Sequence, residues 1–147
     1  MTQPEIKKIG SICIIGLLLI IAYPGHAQQQ KSWIAERFHK HLLADTTIQL
    51  IDVRTPVEYA EGAIAGSILL NWKDSAAFEQ GLQKLEKSRP VYLYCRSGNR
   101  SNLAADHLVV LGFKEVVNLS GGIKSWEDKG YPLYKTIQLN HKRKGNH

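Results

Sequence analysis

Residues 91–102 read VYLYCRSGNRSN, and the rest of the chain is best understood outward from them. Val91 to Tyr94 is an unbroken β-branched, aromatic and apolar run entered through Pro90, the composition of a buried strand. Cys95 ends it. Arg96, Ser97, Gly98, Asn99, Arg100 and Ser101 follow, and Asn102 to Leu111 then has the apolar spacing of a helix stopped by Gly112. A strand that runs through a short polar loop into a helix is one unit of an α/β chain.

The same alternation extends on both sides. Thr47 to Val53 reads as a buried strand, Pro56 opens a short helix through Tyr59 closed by Gly62, and Ile68 to Leu70 is a short strand. Ala76 to Leu85 is an amphipathic helix, Val116 to Asn118 a strand, and Ile123 to Lys129 a last helix ended by Gly130. Upstream, Gln28 to Lys31 reads as a polar linker, and Trp33, Ile34, Phe38, Leu42 and Leu43 recur at helical spacing. Strands alternating with helices require crossover connections, hence a parallel sheet with helices on both faces. In such a sheet reactive groups gather where strand C-termini meet helix N-termini, and Cys95 lies at such a junction.

The amino-terminal residues follow different rules. Lys7 and Lys8 precede an apolar run from Ile9 to Ala22, and Pro24, Gly25 and Ala27 supply breakers and small residues, the pattern of a secretory leader cleaved after Ala27. The run is shorter than the roughly 18 to 20 residues that span a bilayer comfortably, so no stable membrane span is expected after cleavage. Cys13 sits inside the apolar run behind Ile12, which argues against lipid attachment. The expected organisation is a leader over 1–27, a linker over 28–32, one domain over 33–134 and a basic tail over 135–147. Cleavage leaves 120 of the 147 residues, enough for one α/β domain and too few for two. The expected location is periplasmic or secreted. Cys95 is then the one thiol, with no partner for an intramolecular disulfide.

The net charge of +6 falls to +5 without Lys7, Lys8 and Glu5, and Lys135, Lys142, Arg143 and Lys144 supply four of those charges from the tail. The globular part is close to neutral and carries no basic, aromatic-interleaved stripe, which excludes a nucleic-acid partner. His39, His41, His107, His141 and His147 show no ligand spacing with Cys95, so no metal site is expected. There is no Walker-type phosphate loop and no other cofactor motif.

In CRSGNR, Gly98 permits a backbone turn that aims successive amides at one point, making an anion cradle. The following helix N-terminus adds partial positive charge, and Arg96 and Arg100 add full charges. All of these favour thiolate over thiol and make Cys95 a nucleophile. Cysteine is also a common core residue, but the polar residues immediately after this one argue against deep burial. One of the two arginines is expected to hold a ligand, whereas Ser97, Asn99 and Ser101 serve mainly through their backbones, Ser101 equally as the cap of the next helix.

Four segments, in order, resemble the rhodanese-like domain family in its small, single-domain, exported form: LIDVRTPVEYAEG (50–62), IAGSILLNW (64–72), CRSGNRS (95–101) and LGFKEVVNLSGGIKSWEDKGYPL (111–133). The resemblance implies an α/β fold with a central, mainly parallel five-stranded sheet flanked by helices on both faces. It also implies a thiosulfate sulfurtransferase. Cys95 takes the outer sulfur of a donor such as thiosulfate as a persulfide and passes it to cyanide or a thiol acceptor, a protein thiol included. On the same likeness the Arg96–Ser101 amides hold the transferred sulfur and the departing anion, Asp52 and Arg54 brace the loop, and Trp126 with Gly121–Gly122 packs around the site. Where the family often has His then Pro, this chain has Ala63 and Ala65, which bears on loop packing and not on sulfur transfer. The related phosphatases have one more residue between Cys and Arg, so phosphate is disfavoured. The alternative reading is a carrier module that holds persulfide for a partner and turns over small donors poorly; a catalytically silent scaffold fits the intact loop least.

Overall fold

The computed structural model describes residues 29–135, so the expected leader and all of the basic tail except Lys135 lie outside the described residues. At its centre is β4 (Val91–Tyr94), flanked by β5 (Val116–Leu119) and β2 (Gln49–Asp52), with β1 (Lys31–Trp33) and β3 (Ile68–Leu69) at the edges. The order is β1-β5-β4-β2-β3, and every pair is parallel. Four helices connect the strands, α1 (Ala35–Ala44), α2 (Pro56–Glu61), α3 (Ser75–Leu82) and α4 (Asn99–Val110), and α5 (Gly122–Asp128) follows β5. The α/β class, the five strands and the parallel sheet agree with expectation.

The two-residue period of the strands sorts their side chains onto two faces. Ile51, Val53, Val91, Leu93 and Cys95 pack with Phe78, Ala104, Ala105 and Leu108 from α3 and α4. Leu50, Tyr92, Tyr94, Val117 and Leu119 pack with Phe38, Ile123 and Trp126 from α1 and α5. Phe38 and Leu93 are fully buried, each stabilising the fold by about 1.5–3 kcal/mol relative to exposure. Because the inner strands are covered on both faces, all their residues are buried, and their sequences show continuous apolar runs.

Two expectations are corrected here. Lys31 and Ser32 are not linker, and Trp33 is not helical: all three pair with Val117, Asn118 and Leu119 as edge strand β1. A three-residue strand with one inward side chain has no readable alternation, and its partner lies more than eighty residues downstream. Helix α4 starts three residues earlier than its apolar pattern, at Asn99, because Gly98 adopts φ +94° and turns the chain into the helix inside the loop. Ser101 is therefore not the cap; Gly98 is.

Candidate active site

Cys95 leaves the C-terminal end of the central strand and is fastened from behind by α5. Its carbonyl accepts the Ile123 N–H at 2.8 Å, and the Arg96 carbonyl accepts that of Lys124 at 3.2 Å. The close approach needs Gly122: a β-carbon there would lie 2.5 Å from the Cys95 oxygen and 2.6 Å from the Arg96 carbonyl carbon. Gly122 thus packs against the base of the loop.

The loop then curls over the thiol. Sγ accepts the Gly98 N–H at 3.1 Å and the Ser101 hydroxyl at 3.4 Å. Ser101, fully buried on the first turn of α4, reaches Sγ with its side chain as well, a contact beyond the mainly backbone role expected of it. Its single O–H has a second possible acceptor, the Gly98 carbonyl at 3.2 Å, already served by the Asn102 N–H at 3.0 Å.

The residue-level exposure of Cys95 is 1%, against the expectation drawn from its polar neighbours. Arg96, Ser97 and Asn99 turn outward, while Gly98 and Ser101 turn in and close over the sulfur. Burial alone pushes the Cys95 thiol up. Bonds from the Ser101 hydroxyl and from the N–H groups of Ser101, Ser97 and Gly98 outweigh it and hold the thiol below its ordinary value.

The two arginines have separate situations. Arg100, half-buried, forms a two-point pair with Glu58: Nη2 to Oε1 at 2.6 Å and Nη1 to Oε2 at 2.9 Å. Glu58 also closes a capping box at the start of α2, accepting the Thr55 N–H at 3.0 Å and its hydroxyl at 2.9 Å. The Arg100 guanidinium, with the Thr55 bonds, holds the Glu58 carboxyl down at about 2. Arg100 is raised in turn, first by Glu58 and, among smaller causes, by the charge of Cys95. Arg96 is exposed, forms no ion pair among the described residues, and lines a cavity of about 440 Å³ beside the loop.

Asp52 and Arg54 form a buried pair at the end of β2. Arg54 Nε and Nη2 reach both carboxylate oxygens at 2.6–3.0 Å, and Nη2 also donates to the Gly62 carbonyl at 2.7 Å. The guanidinium lies 5.6 Å from the ring of Tyr94, the residue before Cys95. The Tyr94 hydroxyl donates to Ser67 Oγ and accepts the Ile64 N–H, joining β4 to the segment after α2. Ala63, where the family often has histidine, is fully buried and exchanges two backbone hydrogen bonds with Tyr134. Sequence reasoning missed Glu58. The Thr55-x-x-Glu58 spacing marks it as a helix cap, but nothing local indicates its pairing with Arg100, 42 residues on.

Among the described residues no group of three or more His, Cys, Asp or Glu side chains is placed to hold a metal ion, and no helix is long and apolar enough to cross a membrane. A parallel α/β sheet places a buried thiol in a loop of inward-turned amides at its central C-terminal edge, an arrangement that favours the thiolate form. Residues 35–129 match the rhodanese-like domain, and the chain belongs to that family. It is 39% identical over 92 residues to a sulfurtransferase of Allochromatium vinosum, covering 62% of this chain and 83% of the relative. It is 37% identical over 86 residues to the thiosulfate sulfurtransferase GlpE of Coxiella burnetii, covering 58% and 78%. Among solved structures, a rhodanese-related protein from Thermoplasma volcanium aligns with a TM-score of 0.62 at 31% identity, covering 71% of this chain and 97% of that one. The polysulfide-sulfur transferase homodimer of Wolinella succinogenes aligns with a TM-score of 0.61 at 29% identity, covering 72% and 79%. The chain is a rhodanese-type relative of sulfurtransferases.

Proposed function

We propose that the protein is a thiosulfate:acceptor sulfurtransferase working through a persulfide on Cys95. The observation that carries this reading is Sγ held by the Gly98 N–H and the Ser101 hydroxyl inside the six-residue loop Cys95–Arg100 and the first turn of α4. The Cys95 thiolate attacks the outer sulfur of thiosulfate, the donor S–S bond breaks, and sulfite leaves with the electron pair. The Cys95 persulfide anion then takes the place of the thiolate among the loop amides of residues 96–101, whose N–H dipoles suit an anion. In the second half-reaction cyanide or a thiolate attacks the outer sulfur, the electron pair returns to Sγ, and thiocyanate or an acceptor persulfide departs. No net oxidation occurs.

In this reading Arg96 meets the anionic donor, Arg100 adds its field while anchored by Glu58, and Asp52 with Arg54 keeps the loop's base rigid. Thiosulfate is the donor named for the Coxiella burnetii relative, which supports it as the donor here. The leader pattern at residues 1–27 supports a periplasmic or secreted location, tested by the mass of the exported protein. Turnover is tested by thiocyanate formation from thiosulfate and cyanide: wild type turns over and Cys95→Ser does not. Turnover retained by Cys95→Ser refutes the reading. Stoichiometric persulfide without steady-state turnover refutes the enzyme in favour of the carrier module.

A further inference from the structure

The loop holds two guanidinium groups, and the fold treats them unequally. Arg96 is exposed and has no carboxylate partner among the described residues. Arg100, 22% exposed, is met at both terminal nitrogens by Glu58 of α2, 42 residues earlier, at 2.6 and 2.9 Å. Such a fork-to-fork pair is the strongest form of carboxylate–guanidinium contact, and its two charges offset each other for any ion that approaches from outside.

Glu58 is not free to let the arginine turn toward a ligand. Its Oε2 also accepts the Thr55 N–H at 3.0 Å and the Thr55 hydroxyl at 2.9 Å. The helix cap fixes the carboxylate, and the carboxylate fixes Arg100. The cap itself needs only Thr55 and Glu58, and the sulfur cradle needs only the Gly98 N–H and the Ser101 hydroxyl, so neither accounts for the pair. Arg100 is nevertheless close to the chemistry: Ser101, which reaches Sγ, follows it directly, and the charge of Cys95 raises its guanidinium.

We propose that Glu58 is a positioning residue that sets the charge the loop presents to incoming anions. By holding Arg100 in a neutral pair it leaves Arg96 as the loop's unpaired guanidinium, and the Arg100 field reaches a donor only net of the carboxylate. Attraction for a dianionic donor is thereby reduced, and equally for the sulfite that must leave and for unreactive dianions such as sulfate. The proposal rests on the persulfide reading for its donor, but the field at the sulfur is measurable without it.

The test compares alkylation of Cys95 by iodoacetate and by neutral iodoacetamide in the full chain, read at the Cys95 peptide by mass spectrometry. Both reagents meet the same thiolate, so the ratio of their rates cancels its abundance and reports the field at Sγ. Glu58→Gln retains a carbonyl for the Thr55 bonds and removes the charge, and is expected to raise the iodoacetate-to-iodoacetamide ratio about threefold. Arg100→Gln is expected to lower it by a similar factor, and the double variant to return it to the wild-type value. Glu58→Asp, which keeps the charge, should stay near wild type. A dianion feels twice the effect, so Glu58→Gln should also lower the KM for thiosulfate about ninefold, whereas a packing defect would raise it. An unchanged ratio in folded Glu58→Gln protein, or an equal rise in Glu58→Asp, overturns the proposal; the persulfide reading then stands if thiosulfate still loads Cys95. The expected ratios without sulfur loading support the charge assignment and remove the persulfide reading.

Discussion

Ser101→Ala removes one hydroxyl from a fully buried position and leaves the Gly98 N–H on Sγ. The hydroxyl stands 3.4 Å from the sulfur, and the Gly98 carbonyl it would otherwise serve keeps the Asn102 N–H. Its loss therefore falls mainly on the thiolate. Hydrogen bonds to charged groups contribute about 1.5–3 kcal/mol, and at this length the lower end applies. One pKa unit corresponds to about 1.4 kcal/mol, so the Cys95 midpoint should rise by about one unit. The sign follows because a bond favouring the charged form is removed while the burial that opposes it remains. The assay is thiolate absorbance or alkylation rate against pH, with Cys95→Ser as the blank. Wild type should titrate below an unperturbed cysteine, and Ser101→Ala above wild type. Denaturant unfolding should show only a small loss of stability. An unchanged midpoint in a folded Ser101→Ala protein would refute the assignment of the hydroxyl to the sulfur.

Gly122→Ala places a β-carbon 2.5 Å from the Cys95 carbonyl oxygen at φ +61° and should both destabilise the fold by more than the roughly 1–2 kcal/mol of left-handed strain and abolish persulfide formation, read by unfolding and by thiosulfate turnover. Asp52→Ala leaves the buried Arg54 guanidinium without its partner and should cost about 3–5 kcal/mol in denaturant unfolding, far more than loss of an exposed pair such as Lys31–Glu115. The Glu58 carboxyl is depressed in the folded state, so its contribution is complete above the unfolded carboxylate value and is lost as pH falls toward 2. Arg100→Met should therefore lower stability by about 1–2 kcal/mol at pH 7, after discounting for partial exposure, and the two proteins should converge near pH 2 in acid unfolding curves.

Local chemistry made most of the sheet legible. Val91 to Tyr94 carries its strand character in four consecutive residues, and Gly112 and Gly130 mark where the helices stop. The β1 strand was not legible because three residues are too few for a period, and because Trp33 and Phe38, five residues apart, pack in one core from a strand and a helix. The position of Cys95 at a strand end, and its cradle, followed from Gly98 and the surrounding polar residues. Its depth did not. Polar neighbours forecast exposure only if the backbone carries them past the cysteine, and at Gly98 the chain instead folds back over it. The Ser101 hydroxyl and the Glu58 clamp depend on tertiary contacts of six and 42 residues' separation, which no local pattern encodes.

The central claim is that Cys95 carries the transferred sulfur. Peptide-level mass spectrometry of the protein after brief exposure to thiosulfate, with thiols excluded, tests it most directly. The account predicts a one-sulfur increment confined to the peptide containing Cys95 and reversed by a thiol acceptor. A protein that turns over thiosulfate with no increment on that peptide, or with the increment elsewhere, would contradict it.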